Sequence, residues 1–305
     1  MSALFAALKA ALPEPAKAPV RRLVWRVAPP PPTDARPLPP PYSSRWDARA
    51  PSPWSPAGGR CNLCRWNGRS FRGPAHCEGA MCPRCGSLAR DRFLLACLVA
   101  RCPPRTLGAR LWETSPRLGG PYRRAMGRWF AYEMSDYDQS AHAAGRRLDL
   151  QRLDLPDASF EVILSSHVLE HVADTGAALA ELARVLSPGG RLFLQVPLLQ
   201  GRTARPATPE LHGDDTPVEW RFGWDLAAAL RAAGFAPTPL APAGWAASAR
   251  AAAARGEGGE FDLVSLLADA PSGPEDLVEV LDPATSLRLG ITPAHQFLTW
   301  ECAKR

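Results

Sequence analysis

The sequence has no apolar run of the length that a membrane-spanning helix needs, about 20 residues. The segment 2–12 has apolar residues at helical spacing, but it is too short to cross a bilayer and has no signal-peptide cleavage pattern. We therefore expect a soluble, cytoplasmic protein. Because thiols stay reduced in the cytoplasm, the eight cysteines favour metal binding or free thiols over disulfides.

Acidic residues are scarce in the first 60 positions. Nine Lys or Arg residues face three Asp or Glu residues there, so this segment carries a formal charge of +6, which equals the charge of the whole chain. The segment also holds 14 of the 33 prolines, which predicts a disordered, Pro/Arg-rich tail over residues 1–60. Since the excess positive charge lies on this tail, a nucleic-acid partner is possible but not favoured.

Four cysteines follow the tail in two pairs. Cys61-x-x-Cys64 and Cys82-x-x-Cys85 are separated by 17 residues, a spacing at which two knuckles hold one tetrahedral Zn²⁺. We predict a structural zinc ribbon with a connecting helix over residues 61–103. Three ribbon arginines near two aromatic residues are a weak signal for nucleic-acid binding: Arg65, Arg69, Arg72, Trp66 and Phe71.

From residue 104 onwards the pattern of apolar residues alternates between strands and helices. The run at 160–166 is almost continuously apolar, which is typical of a central parallel strand covered on both faces. The alternation predicts a doubly wound α/β sheet for 104–305. Strands are predicted at 110–113, 128–134, 160–166 and 191–197, and helices at 87–102, 118–127 and 174–186 with Asp174 as N-cap.

The stretch SSHVLEHV at 165–172 allows two interpretations. His167, Glu170 and His171 match the H-x-x-E-H pattern of one class of zinc peptidases. That pattern needs a helix through both histidines, whereas here a strand precedes the motif and a new helix begins at Asp174. In open α/β sheets the residues just past a strand face the ligand crevice. We therefore expect His167 in a crevice and His171 in a packing or capping role.

The run at 148–197 resembles the class I S-adenosylmethionine-dependent methyltransferases of the small-molecule type. The matching features are the LPDASF turn, the apolar strand, SSHVLEHVAD, the helix with ALAELARVL, and PGG before the next strand. Further similarity over 61–235 indicates a subgroup with an N-terminal zinc ribbon. The resemblance implies a Rossmann-like, seven-stranded sheet whose final antiparallel strand lies in 295–304. It also implies methyl transfer to a small-molecule or saccharide acceptor.

The resemblance implies a cofactor site made of the first turn and three acids. Glu113 would anchor the amino group of S-adenosylmethionine, and the first turn would contact it through Ser115 and Gly119. Asp136, with Glu133 as its rival, would accept hydrogen bonds from the ribose hydroxyls. Ser115, Pro116 and Arg117 replace the family's glycines in this turn, which puts cofactor affinity in doubt.

The remaining implied site residues lie further along the chain. Asp149 would take the adenine amino group, with the Leu150 backbone beside the ring. Ser165 and Ser166 would line the crevice under the sulfonium, next to His167. If the acceptor must lose a proton, the base is His167, or His212 with Asp214.

Three questions stay open at this level. An RNA or protein methyltransferase that uses the ribbon for substrate binding is one alternative. A non-catalytic interaction module is another, because of the missing glycines. Residues 241–290 match no known pattern and are predicted to be an insertion.

Overall fold

The computed structural model describes eight segments of the chain: 58–73, 79–102, 106–138, 145–198, 200–211, 216–256, 277–291 and 298–305. The predicted tail lies outside them except for residues 58–60. The predicted bases His212 and Asp214 also lie outside the described residues. No helix among the described residues is long and apolar enough to cross a membrane.

The described residues form twelve strands and six α-helices. The strands are β1 Gly59–Arg60, β2 Asn67–Gly68, β3 Arg110–Thr114, β4 Ala131–Asp136, β5 Arg146–Arg147, β6 Phe160–Ser166, β7 Leu186–Gln195, β8 Glu210–Leu211, β9 Pro217–Val218, β10 Phe235–Pro242, β11 Val278–Leu281 and β12 Thr299–Lys304. The helices are α1 Ala89–Arg101, α2 Gly120–Trp129, α3 Thr175–Val185, α4 Leu226–Ala232, α5 Trp245–Ala254 and α6 Pro283–Arg288.

The central sheet has eight strands in the order β11-β10-β12-β7-β6-β3-β4-β5. Strand β12 runs antiparallel to both of its neighbours, β10 and β7, and the other pairs are parallel. The antiparallel strand predicted in 295–304 is therefore confirmed. The prediction of seven strands was one too few, because β11 adds a short parallel strand at the edge and comes from the segment predicted to be an insertion.

Two apolar cores cover the two faces of this sheet, because consecutive strand residues point to opposite faces. Trp112 and Ile163 belong to the core that includes α3 and α4. Leu111 and Val162 belong to the core that includes α1 and α2. This double burial explains why β6 reads as a continuous apolar run. The predicted cap of α3 is also present, since the Asp174 carboxylate accepts a hydrogen bond of 2.9 Å from the Ala177 amide.

The cysteine-rich segment packs directly on the second of these cores. Leu63 and Phe71 are buried together with residues of α1 and of the sheet, including Leu111. Arg92 of α1 is completely buried and holds the junction together. Its guanidinium donates to the carbonyls of Ala80 at 2.6 Å and Leu289 at 2.5 Å and lies over the Phe71 ring.

Candidate active site

Strands β3 and β6 are neighbouring parallel strands near the middle of the sheet, and their carboxyl ends lie side by side. Thr114 pairs with Ser165 in register, and their hydroxyls share a hydrogen bond of 3.0 Å. The loops that follow begin at Ser115 and at His167. In sheets of this kind the ligand crevice lies outside these ends, so the predicted cofactor residues of both loops come together here.

Both loops begin with backbone in the left-handed region. Ser115 has φ 46° and His167 has φ 54°, values that glycine adopts more easily than other residues. A side chain in this conformation costs about 1–2 kcal/mol. The His167 amide donates to the Gln195 carbonyl at 2.8 Å, and the Ser115 amide donates to the Ser135 carbonyl at 2.7 Å. Neighbouring strands therefore stabilise both strained turns. Ser115 thus has the glycine-like conformation that its sequence does not predict.

Glu113 lies at the end of β3 and is almost fully buried. Two tyrosine hydroxyls donate to its Oε2 atom, from Tyr122 at 3.0 Å and from Tyr132 at 2.7 Å. Burial raises the pKa of Glu113 to about 7, although the two tyrosines oppose the rise. A carboxyl group with this pKa can lose its proton when a cationic group approaches. The resulting carboxylate suits the predicted role of Glu113, which is to bind the amino group of the cofactor.

Asp136 ends the neighbouring strand β4 and is also buried. The Ser115 hydroxyl donates to its Oδ2 atom at 3.1 Å, and the Asp138 amide donates to Oδ1 at 3.3 Å. Its rival Glu133 lies in the middle of β4, is exposed and pairs with Arg146 at 3.9 Å. The geometry therefore favours Asp136 over Glu133 as the acid of this strand.

The remaining predicted cofactor residues extend this edge of the sheet. The backbone amide of Leu148, the residue before Asp149, donates a hydrogen bond of 3.1 Å to the Asp136 carbonyl. The Asp149 carboxylate accepts from the Gln151 amide at 2.9 Å and is half-buried, and Leu150 is buried. Gly119 is different, because it is the exposed residue before α2 and has an extended φ of −80°. Its conformation does not require glycine.

A cavity at the crevice is lined partly by α1, a contribution that the sequence did not predict. Glu113, Ser115 and Ser166 line it from the strand ends. Helix α1 lines the other side with four residues: Arg90, Asp91, Leu94 and Leu95. Arg117 of the first loop forms an ion pair with Asp91, and this pair fastens α1 to the loop. Arg117, one of the residues that replace the family's glycines, therefore binds the loop to α1 and to the cysteine-rich segment.

The H-x-x-E-H motif does not form the continuous helix that a zinc peptidase requires. His167 ends the strand with a left-handed φ, and only a single turn of 3₁₀ helix, Leu169–His171, follows. His167 Nδ1 lies 3.4 Å and His171 Nε2 lies 4.0 Å from Oε1 of the buried Glu170. Burial raises the Glu170 pKa, but the two imidazoles outweigh it and hold that pKa well below its usual value. The motif is a cluster of two imidazoles around a buried carboxylate.

This cluster also anchors the segment after the predicted catalytic loop. The Glu219 amide donates to the Glu170 carbonyl at 2.8 Å, and His171 Nδ1 lies 2.6 Å from the Pro217 carbonyl. Strands β8 and β9, which flank residues 212–215, pair with each other. Pro217 and Glu219 are therefore held at the turn that carries His167.

The four predicted zinc ligands converge. The Sγ atoms of Cys61, Cys64, Cys82 and Cys85 all lie within 4.8 Å of one another, and they form the one such group among the described residues. Cys61 and Cys85 Sγ are 3.7 Å apart, and Cys64 and Cys82 Sγ are 3.6 Å apart. Tetrahedral Zn²⁺ with bonds of about 2.3 Å requires sulfur atoms about 3.8 Å apart. The donor set and its spacing fit zinc.

Comparison with known proteins identifies one family model and several partial relatives. Residues 123–194 match the model described as a methyltransferase domain. A probable S-adenosylmethionine-dependent methyltransferase of Mycolicibacterium smegmatis is 38% identical over 71 residues, which cover 20% of this chain and 28% of that protein. An uncharacterized transposon protein of Streptomyces fradiae is 49% identical over 49 residues, 16% of this chain and 14% of that protein. The chain thus spans between 14% and 28% of the length of its curated relatives.

Among solved structures, this chain is similar to the 1,6-didemethyltoxoflavin-N1-methyltransferase of Burkholderia thailandensis. That structure contains bound S-adenosylhomocysteine. It is 20% identical, with a TM-score of 0.38, and the match covers 49% of this chain and 68% of that one. The mixed sheet has a Rossmann-like α/β arrangement, and residues 123–194 within it are similar to a methyltransferase domain. They support the enzyme class predicted from the sequence, a methyltransferase that uses S-adenosylmethionine.

Proposed function

We propose that this protein transfers a methyl group from S-adenosylmethionine to an acceptor bound at the carboxyl ends of β3 and β6. The observation that carries the proposal is the pair of buried acids, Glu113 and Asp136, at the ends of neighbouring strands within a methyltransferase-like fold. S-adenosylmethionine supplies an electrophilic methyl group on a cationic sulfur, so the protein contributes mainly alignment and a desolvated pocket.

Each residue of the crevice has a part in this proposal. Glu113 binds the cofactor's amino group, and Asp136 accepts the ribose hydroxyls. Asp149 and the Leu150 backbone hold the adenine, as the resemblance implies. Ser115 and Gly119 contact the cofactor through the first loop, with Ser165 and Ser166 lining the floor of the crevice.

His167 is the proposed base for acceptors that must lose a proton. The Glu170 carboxylate lies beside Nδ1 of His167, so Nε2 is the nitrogen that can take the proton. His212 with Asp214 remains the alternative base. The acceptor predicted from the sequence, a small molecule or a saccharide precursor, also stays a prediction.

Zinc is proposed as a structural ion held by Cys61, Cys64, Cys82 and Cys85. Four thiolates leave no open position for water or substrate, so the site stabilises the fold and takes no part in the chemistry. Metal analysis of the purified protein should give one zinc per chain. A Cys64→Ser variant should lose it.

Calorimetry with S-adenosylmethionine and S-adenosylhomocysteine tests the proposal on the zinc-loaded full chain. Binding of both is expected, with weaker binding in Asp136→Asn because the amide group binds ribose hydroxyls less well than a carboxylate does. Glu133→Gln, on the same strand, is the matched control and should bind normally. Transfer of labelled methyl groups to a fractionated cell extract then identifies the acceptor class. Absence of binding at millimolar ligand would rule out the enzyme and leave the non-catalytic module.

A further inference from the structure

A second open site lies between the cysteine-rich segment and α2, and we call it the basic groove. Four arginines and one tryptophan line it: Arg65, Arg84, Arg124, Arg128 and Trp129. All four arginines are exposed, and Trp129 is half-buried. The ribbon contributes two of the arginines and α2 the other two, so the groove exists only where these two parts meet.

The positive charge of the groove is not balanced by acidic side chains within it. No ion pair joins any of its four arginines to an acidic residue within the described parts of the chain. Some exposed arginines elsewhere do have acidic partners, as in Arg110–Glu161 and Arg205–Glu219. Helix α2 contains three arginines and no Asp or Glu, and residues 58–86 contain five arginines and one acid, Glu78.

Charge balance with the zinc site does not account for all of these arginines. A zinc ion with four thiolates has a net charge of −2, and Arg65 and Arg84 lie beside the ligands, where they can neutralise it. Arg124 and Arg128 come from α2 and are in excess. Because residues 61–305 together are formally neutral, a local excess of this kind favours an anionic ligand.

We propose that the basic groove binds single-stranded nucleic acid, with the arginines on successive phosphates and Trp129 as a surface on which a base stacks. A positively charged groove combined with an aromatic surface is the arrangement by which proteins bind single strands without reading their sequence. Guanidinium groups also bind phosphate oxygens in a bidentate manner, which favours arginine over lysine for this purpose.

The groove adjoins the proposed cofactor cavity. Leu63 lines both sites. Helix α2 separates them, since Tyr122 lines the cavity and Pro121 and Ala125 line the groove. A strand in the groove is therefore held next to the crevice. Binding of a nucleic-acid strand in the groove does not depend on the proposed function. The further step, that this strand is the methyl acceptor, does rest on the proposed function.

Fluorescence polarisation on the zinc-loaded full chain tests the binding, with a labelled uridine oligonucleotide and no cofactor. The variant Arg124→Gln/Arg128→Gln removes two charges from the groove and should bind about tenfold more weakly. The slope of log K against log salt should fall by about 1.4, because each phosphate contact to a single strand contributes about 0.7. Trp129→Leu should also weaken binding about tenfold through lost stacking.

The matched control is Arg202→Gln/Arg250→Gln, which removes the same charge from exposed positions outside the groove and leaves the tail intact. It should bind like the wild type. Equal affinities of the two double variants would overturn the proposal. A second arm compares RNA with DNA of the same sequence, and tighter binding of either supports the groove and identifies the strand.

A third arm uses inorganic polyphosphate. If polyphosphate binds as tightly as the oligonucleotide and Trp129→Leu has no effect, the groove is a simple anion surface and the assignment to nucleic acid is wrong. Because no arm contains cofactor, these results are independent of whether the protein binds S-adenosylmethionine. Failure of the methyltransferase proposal is thus distinguishable from failure of this one.

Discussion

At the scale of single residues, His167 combines a strained backbone with a side chain that has a proposed chemical role, and two variants separate these properties. His167→Gly removes the imidazole and relieves the left-handed φ, whereas His167→Ala removes the imidazole and keeps the strain. If His167 is the base, we expect both variants to lose about 100-fold in kcat. Labelled methyl transfer measures this loss, and thermal unfolding should show that the glycine variant is the more stable.

The pH profile is the second measurement on these variants. Loss of the base should remove the acidic limb of the profile in both of them. If His167→Gly keeps wild-type activity, only the backbone conformation matters, and the base must be sought in His212 and Asp214.

Glu113 predicts a pH dependence of cofactor binding. Its pKa is raised to about 7 by burial, so without cofactor the folded state favours the protonated acid. Protonation of Glu113 therefore adds to the free energy of unfolding. This contribution is complete below the ordinary pKa of 4.5 and is lost as the pH rises through 7. The cationic cofactor requires the carboxylate, so its affinity should rise about tenfold between pH 6 and pH 8.

Glu113→Gln mimics the protonated acid and keeps an oxygen for both tyrosines. At pH 8 without cofactor it should be more stable than the wild type, by up to about 3 kcal/mol, and it should bind cofactor more weakly. Calorimetry of both proteins at both pH values separates the effect of Glu113 from the ligand's own titration. An equal pH dependence in the two proteins would show that Glu113 does not bind the amino group.

The sequence predicted the acids of this site better than their environment. Strand periodicity and family resemblance located Glu113 and Asp136 near the carboxyl ends of β3 and β4, where the structure has them, and their role toward the cofactor stays a prediction. Tyr122 and Tyr132 were not predicted, because they reach Glu113 from α2 and β4 and no local pattern encodes that meeting. The positive φ of Ser115 was also missed, since serine rarely adopts it and neighbouring strands impose it here.

At the scale of elements, the first loop and α1 are predicted to act together. Arg117 forms an ion pair with Asp91 and donates to the Gly86 carbonyl at 3.2 Å. Arg117→Ala should release this wall of the cavity and weaken cofactor binding about tenfold. The free energy of unfolding should change by less than about 1 kcal/mol, because a partly exposed ion pair contributes little to stability.

A double-mutant cycle tests this coupling. Asp91→Asn alone should also weaken binding, and the double variant should be little worse than either single one. Arg110→Ala is the control, because it breaks the exposed ion pair with Glu161 at the other end of β3 and should leave cofactor affinity unchanged. Additive losses from the Arg117 and Asp91 variants would contradict a shared role.

Elements with strong local signals were predicted well, and the misses have a physical reason. The strand at 160–166 and the Asp174 cap were confirmed. The SPGG motif differs from the prediction, because it lies inside β7, where Gly189 has φ 71° and the pairing with β6 shifts register. Strand β11 was missed because it has four residues and is an edge strand whose pairing with β10 depends on tertiary structure. The sequence of a short edge strand has little intrinsic preference for the β conformation.

At the scale of the whole molecule, the cysteine-rich segment and the sheet share one core. Cys61, Leu63 and Phe71 are buried in the same apolar cluster as Leu111 and Val162 of the sheet. Arg92 crosslinks ribbon, helix and the segment at Leu289. The two regions that the sequence divides at residue 103 should therefore unfold together.

Zinc removal should consequently affect the cofactor site as well as the ribbon. Without the metal, the segment that contains the four cysteines loses the interaction that mainly keeps it folded. The face of the sheet under α1 is then exposed to solvent. We expect chelation to lower the unfolding temperature by about 10 °C or more in a single transition. Since Leu63 and α1 line the cofactor cavity, affinity for S-adenosylhomocysteine should fall as well.

Cys64→Ser should reproduce both effects without a chelator. Cys102→Ser, which changes a half-buried cysteine outside the zinc cluster, should keep zinc, stability and affinity. If the zinc-free protein instead unfolds in two separate transitions and binds the ligand with unchanged affinity, the ribbon is an independent domain. Coupling is favoured because the buried residues around Arg92 belong to both regions, so neither can lose its packing without exposing the other.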